Sequence, residues 1–152
     1  MTAATSRNRR ARPLHQQAFG AMLLTADALR RALGQVLEPH GLTSQQYNVL
    51  RILRGARPDS LPTMEIAARM LEQTPGITRL LDRLETKGLV SRERRTDDRR
   101  QVLCSITPLG LELLAGLDEP VDRADEALLG VLKDAELRTL IGYLERIREQ
   151  AT

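Results

Sequence analysis

The apolar periodicity of the chain changes abruptly at Lys87-Gly88. Before this point, two short segments carry apolar residues at helical spacing, and Pro75-Gly76 interrupts the pattern between them. After it, residues 89–94 and 101–106 alternate with the period of two that is typical of strands, and a charged stretch connects them. Two short helices joined by a tight turn and followed by a hairpin form a winged helix-turn-helix.

The second of these short helices is strongly amphipathic. Thr74 is predicted as its N-cap and Pro75 as its first helical residue. The residues predicted to face inward are Ile77, Leu80, Leu81 and Leu84. The residues predicted to face outward are Gly76, Thr78, Arg79, Asp82 and Arg83. Thr63 is predicted as the N-cap of the preceding helix. The inner side of that helix is predicted to consist of Ile66, Ala67, Met70 and Leu71.

A long amphipathic helix is predicted to precede this unit. Its apolar stripe consists of Met22, Ala26, Leu29, Leu33 and Val36. Pro39 and Gly41 end it, and a capping box at 43–46, with Thr43 as N-cap, then begins the next helix.

Two further helices are predicted after the hairpin, the first capped by Thr107 and the last running from Asp134 to Glu149. The stripe of the first consists of Leu114, Leu117, Val121, Ala124, Leu128 and Val131. It keeps its phase through Pro120, which predicts one kinked helix rather than two. Asp134 is predicted to cap the last helix.

The predicted fold is therefore mainly α with a small β-hairpin wing. We divide it into a disordered basic tail at 1–13, a winged helix-turn-helix at 42–107, and a helical dimerisation region at 14–41 and 108–152. The flanking stripes are longer than a small winged domain requires. Pairing with a second copy of the chain is the simplest way to cover them.

The basic residues lie mostly in the first part of the chain. Residues 1–117 carry 18 Lys and Arg against 11 Asp and Glu, whereas residues 118–152 carry 5 against 9. All of the basic residues except Lys87 and Lys133 are arginine, whose planar guanidinium suits phosphate and groove contacts. The distribution favours a polyanionic partner. A GC-rich genome gives the same arginine bias.

The composition argues against several other classes of protein. One cysteine forms no internal disulfide, and with two histidines it has no zinc-ligand spacing. The longest uncharged stretch, Pro13–Ala26, is too short to span a membrane and too polar for the core of a signal peptide. No nucleophile–base pair, phosphate-binding loop or paired carboxylates indicate an enzyme. We expect a cytoplasmic protein without metal, cofactor or membrane partner.

Four consecutive motifs resemble the multiple antibiotic resistance regulator (MarR) family. They lie in TPGITRLLDRLETKGLVSRERRTDDRRQVLCSITPLG, at 74–110. The motifs are the second short helix, the KGLV sequence at 87–90, the DRR sequence of the wing at 98–100 and the TPLG sequence at 107–110. The stretches GLTSQQYNVLRIL and MEIAARM extend the resemblance.

This resemblance implies a homodimer that binds a pseudo-palindromic duplex and represses transcription. It also implies release by a small phenolic or lipophilic effector that binds between the dimerisation helices and the winged domain. The predicted DNA-binding residues of the recognition helix are Thr74, Pro75, Gly76, Thr78, Arg79 and Arg83. Those of the wing are Arg94, Arg95, Asp98, Arg99 and Arg100.

The residues of the recognition helix and the wing leave two interpretations open. Arg79 and Arg83 either contact base edges or pair with neighbouring acids such as Asp82. In the wing, Asp98 and Arg100 are predicted to point the same way from a strand, so that the carboxylate holds the guanidinium extended for the minor groove. The alternative is a solvated run of charges.

The effector site is less well defined by the sequence. His15, Phe19, Tyr47 and Arg51 are the candidate residues, with ordinary core packing as the alternative for both aromatic residues. Family members that sense peroxides carry a reactive cysteine in the first helix, whereas Cys104 is predicted as buried packing on a wing strand. Zinc-sensing members use His and Glu partners that His15 and His40 lack. A constitutive architectural DNA-binding protein is the competing function.

Overall fold

The structure, a computed structural model, describes residues 12–98 and 100–151. Its helices are α1 (Leu14–Leu37), α2 (Ser44–Ala56), α3 (Thr63–Arg69), α4 (Ile77–Thr86), α5 (Pro108–Leu129) and α6 (Asp134–Glu149). Its strands are β1 (Leu61–Pro62), β2 (Val90–Arg94) and β3 (Val102–Ile106). This confirms the mainly α fold with a small wing. Most of the predicted tail, with Arg7, Arg9 and Arg10, lies outside the described residues, as does Arg99.

The wing belongs to a three-stranded antiparallel sheet in the order β1-β3-β2. In β2 and β3, Val90 pairs with Ile106 and Arg94 with Val102, which confirms the predicted hairpin. The strand β1, which pairs Leu61 with Cys104, was not predicted from the sequence. Two residues are too few to show a period, and Pro62 is tolerated because β1 is an edge strand.

The core lies where α2, α4 and the first half of α5 meet the sheet. Fully buried leucines from all three helices meet there: Leu50, Leu53, Leu81, Leu84, Leu114 and Leu117. Burying one such side chain stabilises the fold by roughly 1.5–3 kcal/mol. The core therefore fixes α4 firmly against α2 and the sheet.

Two predicted helix starts are confirmed. At α2, Thr43 Oγ1 accepts from the Gln46 N–H and Gln46 Oε1 accepts from the Thr43 N–H, each at 3.1 Å. At α5, Thr107 Oγ1 accepts from the Gly110 N–H at 3.1 Å. A Cβ on Gly110 would lie 2.5 Å from the Leu89 carbonyl oxygen, so glycine lets α5 begin directly against the sheet.

Three other predicted helix starts are wrong. Thr63 is the first residue of α3 rather than its cap, and its Oγ1 lies 4.0 Å from Cys104 Sγ. Thr74 does not cap α4, which begins at Ile77. Asp134 is the first residue of α6, where Glu136 instead accepts a hydrogen bond from the backbone N–H of residue 133 at 2.8 Å. α3 and α4 begin without a side-chain cap, after Pro62 and Gly76 respectively.

The flanking helices leave apolar side chains on the surface of the single chain. α5 is continuous through Pro120, as predicted. Its stripe is buried as far as Val121, but Val131, just beyond the helix, is 82% exposed. α6 has no buried residue in the described part of the chain. The prediction that Leu71 faces inward is wrong, because α3 ends at Arg69 and the chain turns outward.

In these residue ranges, no helix has both the length and the hydropathy needed to cross a membrane.

Candidate nucleic-acid interface

The helix α4 presents an apolar face to the core and a polar face to solvent. Leu80, Leu81 and Leu84 are buried and Ile77 is half-buried, as predicted. The residues predicted to face outward are all exposed: Gly76, Thr78, Arg79, Asp82 and Arg83. This division follows directly from the period of 3.6 residues.

Backbone conformation, rather than a side-chain cap, sets the start of α4. Gly76 has a φ of +83°, a left-handed conformation that favours glycine. Thr74 Oγ1 donates to the Glu72 carbonyl oxygen at 3.1 Å. Asn48 Oδ1 accepts from the Leu71 N–H at 2.9 Å. These two bonds fix the residues between α3 and α4, which we call the α3–α4 turn (70–76).

A groove of about 380 Å³ lies beside the start of α4. It is lined by Gln45, Thr74, Pro75, Gly76, Arg79, Leu80 and Arg83. The structure thus brings together all of the predicted recognition-helix residues except Thr78, which is exposed but does not line the groove. Gln45 was not predicted to belong here, because only the tertiary fold places the start of α2 next to α4.

Two acidic residues of α4 are held by a side chain of the wing. Arg92, on β2, donates to Asp82 Oδ1 at 2.5 Å and to Glu85 Oε2 at 2.6 and 2.9 Å. These hydrogen bonds, chiefly those to Glu85, raise the pKa of Arg92. Across the described ranges, no hydrogen bond or ion pair engages the side chains of Arg79 or Arg83.

The interpretation in which the outward arginines pair with Asp82 is therefore wrong. Asp82 pairs with Arg92 instead, and the guanidinium groups of Arg79 and Arg83 face the groove and solvent. Exposed guanidinium groups on a helix surface can contact the phosphates and base edges of a duplex.

The wing turn is organised by its own acidic residues. Arg95 donates to both carboxylate oxygens of Asp97, at 2.8 and 2.5 Å, and this lowers the pKa of Asp97. Asp98 Oδ1 accepts from the backbone N–H of Arg100 at 3.0 Å. Arg94 and Arg100 are exposed.

The predicted support of the Arg100 guanidinium by Asp98 is wrong. Strand pairing ends at Arg94 and Val102, so Asp98 and Arg100 lie in a turn and do not share a strand face. Asp98 shapes the turn through the backbone instead. In this turn the guanidinium that pairs with a carboxylate is that of Arg95, and its partner is Asp97.

A second cavity, of about 330 Å³, lies between the long helices α1 and α5 and the winged domain. Its apolar lining includes Leu29, Leu33, Met70, Leu71, Val121 and Leu129. Tyr47 and Arg51 also line it, with the Arg51 guanidinium 5.8 Å from the centre of the Tyr47 ring. Tyr47 is only 5% exposed, and burial raises the pKa of its hydroxyl.

Two of the four residues predicted for the effector site, Tyr47 and Arg51, line this cavity. His15 and Phe19 lie near the exposed start of α1 and do not line it, and Phe19 is 62% exposed. α1 is long enough to place its first turns away from the winged domain. Arg30, Asn48 and Glu72 also line the cavity and were not predicted, because they come from three separate segments that only the fold brings together.

Cys104 is fully buried on β3, as predicted. Burial raises the pKa of its thiol, although the contact with Thr63 acts in the opposite direction. His40 lies exposed in the 3-10 turn after α1. The described residues contain no group of three or more His, Cys, Asp or Glu that could hold a metal ion.

A family model described as the MarR family matches residues 42–102. The HTH-type transcriptional regulator FarR of Neisseria gonorrhoeae is 30% identical over 84% of this chain and 88% of its own length. A MarR transcription factor from Planctomyces limnophilus is 40% identical, with a TM-score of 0.70 over 90% of this chain and 98% of its own. A mutant MarR from Escherichia coli, solved with operator DNA, is 26% identical, with a TM-score of 0.76 over 84% and 90%. This chain therefore belongs to the MarR family of DNA-binding transcriptional regulators.

Proposed function

We propose that the chain forms a homodimeric, cytoplasmic repressor that binds a pseudo-palindromic operator and is released by a small phenolic or lipophilic effector. The observation that carries the proposal is the exposed face of α4, on which Arg79 and Arg83 have no ion-pair partner in the described part of the chain. A helix of this kind fits the major groove, where polar side chains reach base edges. Because the core holds α4 in place, its exposed side chains are positioned for DNA before binding.

The wing supplies the second proposed contact. Arg94 and Arg100 are exposed at and beyond the end of β2, and no ion pair neutralises either guanidinium within the described ranges. Arginines at this position suit a narrow minor groove, whose negative potential attracts them. Arg95 is paired with Asp97, so we assign it a weaker role.

Exposed apolar residues on α1 and α6 support the dimer. Phe19 and Leu24 on α1 are 62% and 74% exposed, and Ile141 and Ile147 on α6 are 53% and 50% exposed. Large apolar residues exposed in such number on two helices are uncommon on a monomeric protein. A second copy covers it by two-fold symmetry and doubles the number of DNA contacts.

The DNA-binding proposal is tested with a duplex selected from a random pool by the wild-type protein. Specific binding predicts a selected sequence with two related half-sites. It also predicts that log K falls with log salt at a slope of about −0.9 for each phosphate neutralised. A protein that enriches no sequence but still binds DNA would instead be the architectural protein.

The cavity beside Tyr47 supports the effector part of the proposal. Two residues of its lining hold the α3–α4 turn: Asn48 through the Leu71 N–H, and Arg30, whose Nε donates to Glu72 at 2.7 Å. A ligand in the cavity therefore contacts groups that hold the α3–α4 turn, which leads into α4. Its apolar lining, with Arg51 at one side, suits an aromatic compound that carries one polar group.

The effector proposal is tested with 2-naphthol, a small lipophilic phenol, as the probe. We expect 2-naphthol to weaken binding of the selected duplex by the wild-type protein. A variant whose cavity is filled, Leu33→Trp, should retain DNA binding and lose this response. If neither 2-naphthol nor a panel of substituted phenols changes DNA affinity, the protein is a constitutive DNA-binding protein.

A further inference from the structure

We propose that Arg92 is a positioning residue for DNA binding, because its ion pair with Asp82 leaves Arg79 available to the duplex. The proposal rests on the proposed contact between Arg79 and DNA. It assigns a role in recognition to a side chain that belongs to the wing sheet and does not line the groove.

The sequence of α4 places an acid next to its own DNA-binding residue. Asp82 follows Arg79 by three residues, and side chains at this spacing are neighbours on a helix surface. Opposite charges at this spacing attract each other. Without another ion-pair partner, Asp82 would therefore compete with DNA for the Arg79 guanidinium.

The structure gives Asp82 another partner. Arg92 Nη2 lies 2.5 Å from Asp82 Oδ1, and the Arg92 side chain is only 21% exposed, whereas that of Asp82 is 52% exposed. The partial burial of Arg92 strengthens this pair relative to one between two fully solvated groups. The ion-pair partner of Asp82 is thus an arginine of the sheet and not an arginine of α4.

The position of Arg92 is fixed on two sides. On the sheet, Arg92 lies directly opposite Cys104, which is fully buried. On α4, its guanidinium also donates twice to Glu85, one turn beyond Asp82. This planar fork binds two carboxylates at once, which the single ammonium of a lysine does not do in the same geometry.

Neutralisation of these acids also affects the electrostatics of the surface. Asp82 and Glu85 lie on the helix that is proposed to enter the groove, where free carboxylates repel phosphates within about 10 Å at 0.1 M salt. Arg92 offsets one of these two negative charges and shares its guanidinium between both carboxylates, without contacting DNA itself. The proposal therefore predicts that the effect of losing Arg92 depends on Asp82.

The experiment measures the affinity of four proteins for the selected duplex at fixed salt: the wild type, Arg92→Ala, Asp82→Asn and the double variant. We expect Arg92→Ala to weaken binding of the dimer about tenfold, with relaxed preference at the base contacted by Arg79. Asp82→Asn should bind within about twofold of the wild type. Adding Asp82→Asn to Arg92→Ala should recover most of the lost affinity and the base preference.

A matched control uses the other acid that Arg92 contacts. Glu85 has no arginine three or four residues away on α4, so Glu85→Gln should not restore the base preference of Arg92→Ala. Equal rescue by both acid substitutions would overturn the specific role of Asp82. A double variant as weak as Arg92→Ala would show that Arg92 acts only by supporting the fold.

Two further outcomes are separated by other variants. If Arg92→Ala does not fold, Asp82→Asn alone tests the proposal. A large gain in the DNA affinity of Asp82→Asn would show that Asp82 already competes for Arg79 in the wild type, which would overturn the role of Arg92. If Arg79→Ala has no effect on the wild type, the proposed DNA contact has failed rather than the role of Arg92. A loss with Arg79→Ala and none with Arg92→Ala would overturn the positioning role alone.

Discussion

The guanidinium of Arg54 donates to both carboxylate oxygens of Asp118, at 2.9 Å each. This bidentate pair joins α2 in the winged domain to α5 in the dimerisation region. The hydrogen bonds from Arg54 lower the pKa of Asp118. The pair is therefore a specific link between the part of the chain that carries α4 and the part proposed to dimerise.

The Arg54–Asp118 pair predicts a loss of stability at acidic pH. The pKa of Asp118 is lower in the folded state than in the unfolded state. The ionised carboxylate therefore adds to the free energy of unfolding at pH values above the unfolded pKa of about 3.9, and this contribution is lost as the pH falls through the folded pKa. Asp118 is 48% exposed, so solvent screening limits this contribution to at most about 1 kcal/mol.

Urea unfolding of Asp118→Asn and the wild type at pH 7 and pH 3 tests this. We expect Asp118→Asn to be less stable by about 0.5–1 kcal/mol at pH 7 and the difference from the wild type to be smaller at pH 3, because part of the contribution is lost there. Asp122→Asn, on the same helix and without an ion pair among the described residues, is the control. A difference that persists unchanged at pH 3 would contradict the assignment.

Cys104 is predicted to be unreactive in the folded protein. It is fully buried and burial raises the pKa of its thiol, so little of the nucleophilic thiolate is both present and accessible. We expect Ellman's reagent at pH 8 to modify Cys104 at least tenfold more slowly in buffer than in denaturant. Rapid modification in buffer, together with a change in DNA affinity, would instead indicate a thiol sensor.

Leu144→Glu is predicted to disrupt the dimer. Leu144 lies on the apolar stripe of α6 and is 37% exposed in the single chain, so a second copy is needed to bury it fully. We expect the dissociation constant of the dimer to rise at least tenfold, or about 1.4 kcal/mol, in sedimentation equilibrium. Arg146→Ala, at an exposed position on the opposite side of α6, is the control. A wild-type protein that sediments as a folded monomer would contradict the dimer itself.

The long helices and the two faces of α4 were predictable because their apolar residues repeat over several turns. A repeated pattern predicts a helix reliably, whereas β1 has only two residues and produces no pattern. The start of α4 was misassigned because Thr74 and Pro75 match a common N-cap sequence. In the structure the left-handed conformation of Gly76 sets the start instead.

Ion-pair partners were the least predictable part of the site. The sequence left open whether Arg79 and Arg83 pair with neighbouring acids such as Asp82, but in the structure Asp82 pairs with Arg92 of β2. Similarly, the strand period suggested that Asp98 supports Arg100, but the strand ends before that point. In both cases tertiary packing or a turn decides the partner, and a local sequence pattern does not contain that information.

The last prediction separates the roles of α4 and the wing. Arg79 and Arg83 line the groove beside α4, so Arg79→Ala or Arg83→Ala should relax sequence preference by ~1–3 kcal/mol at the base that is contacted. Arg100 lies in the wing turn, so Arg100→Ala should weaken binding to all sequences while preserving their order. Asp98→Ala should have the same effect more mildly, because it loosens the turn through the Arg100 N–H.

The measurement is a binding panel of single-base variants of the selected duplex, at fixed salt, for each substituted protein. Thr96→Ala, which removes a side chain from the same turn without changing its charge, is the matched control and should leave both affinity and order close to those of the wild type. The assignments are reversed if Arg100→Ala changes the order of the panel while both α4 variants lose affinity uniformly. The assignments hold if the α4 variants lose discrimination at particular bases. Only a side chain that reaches base edges reads sequence directly, whereas an arginine in the minor groove responds to groove width and potential.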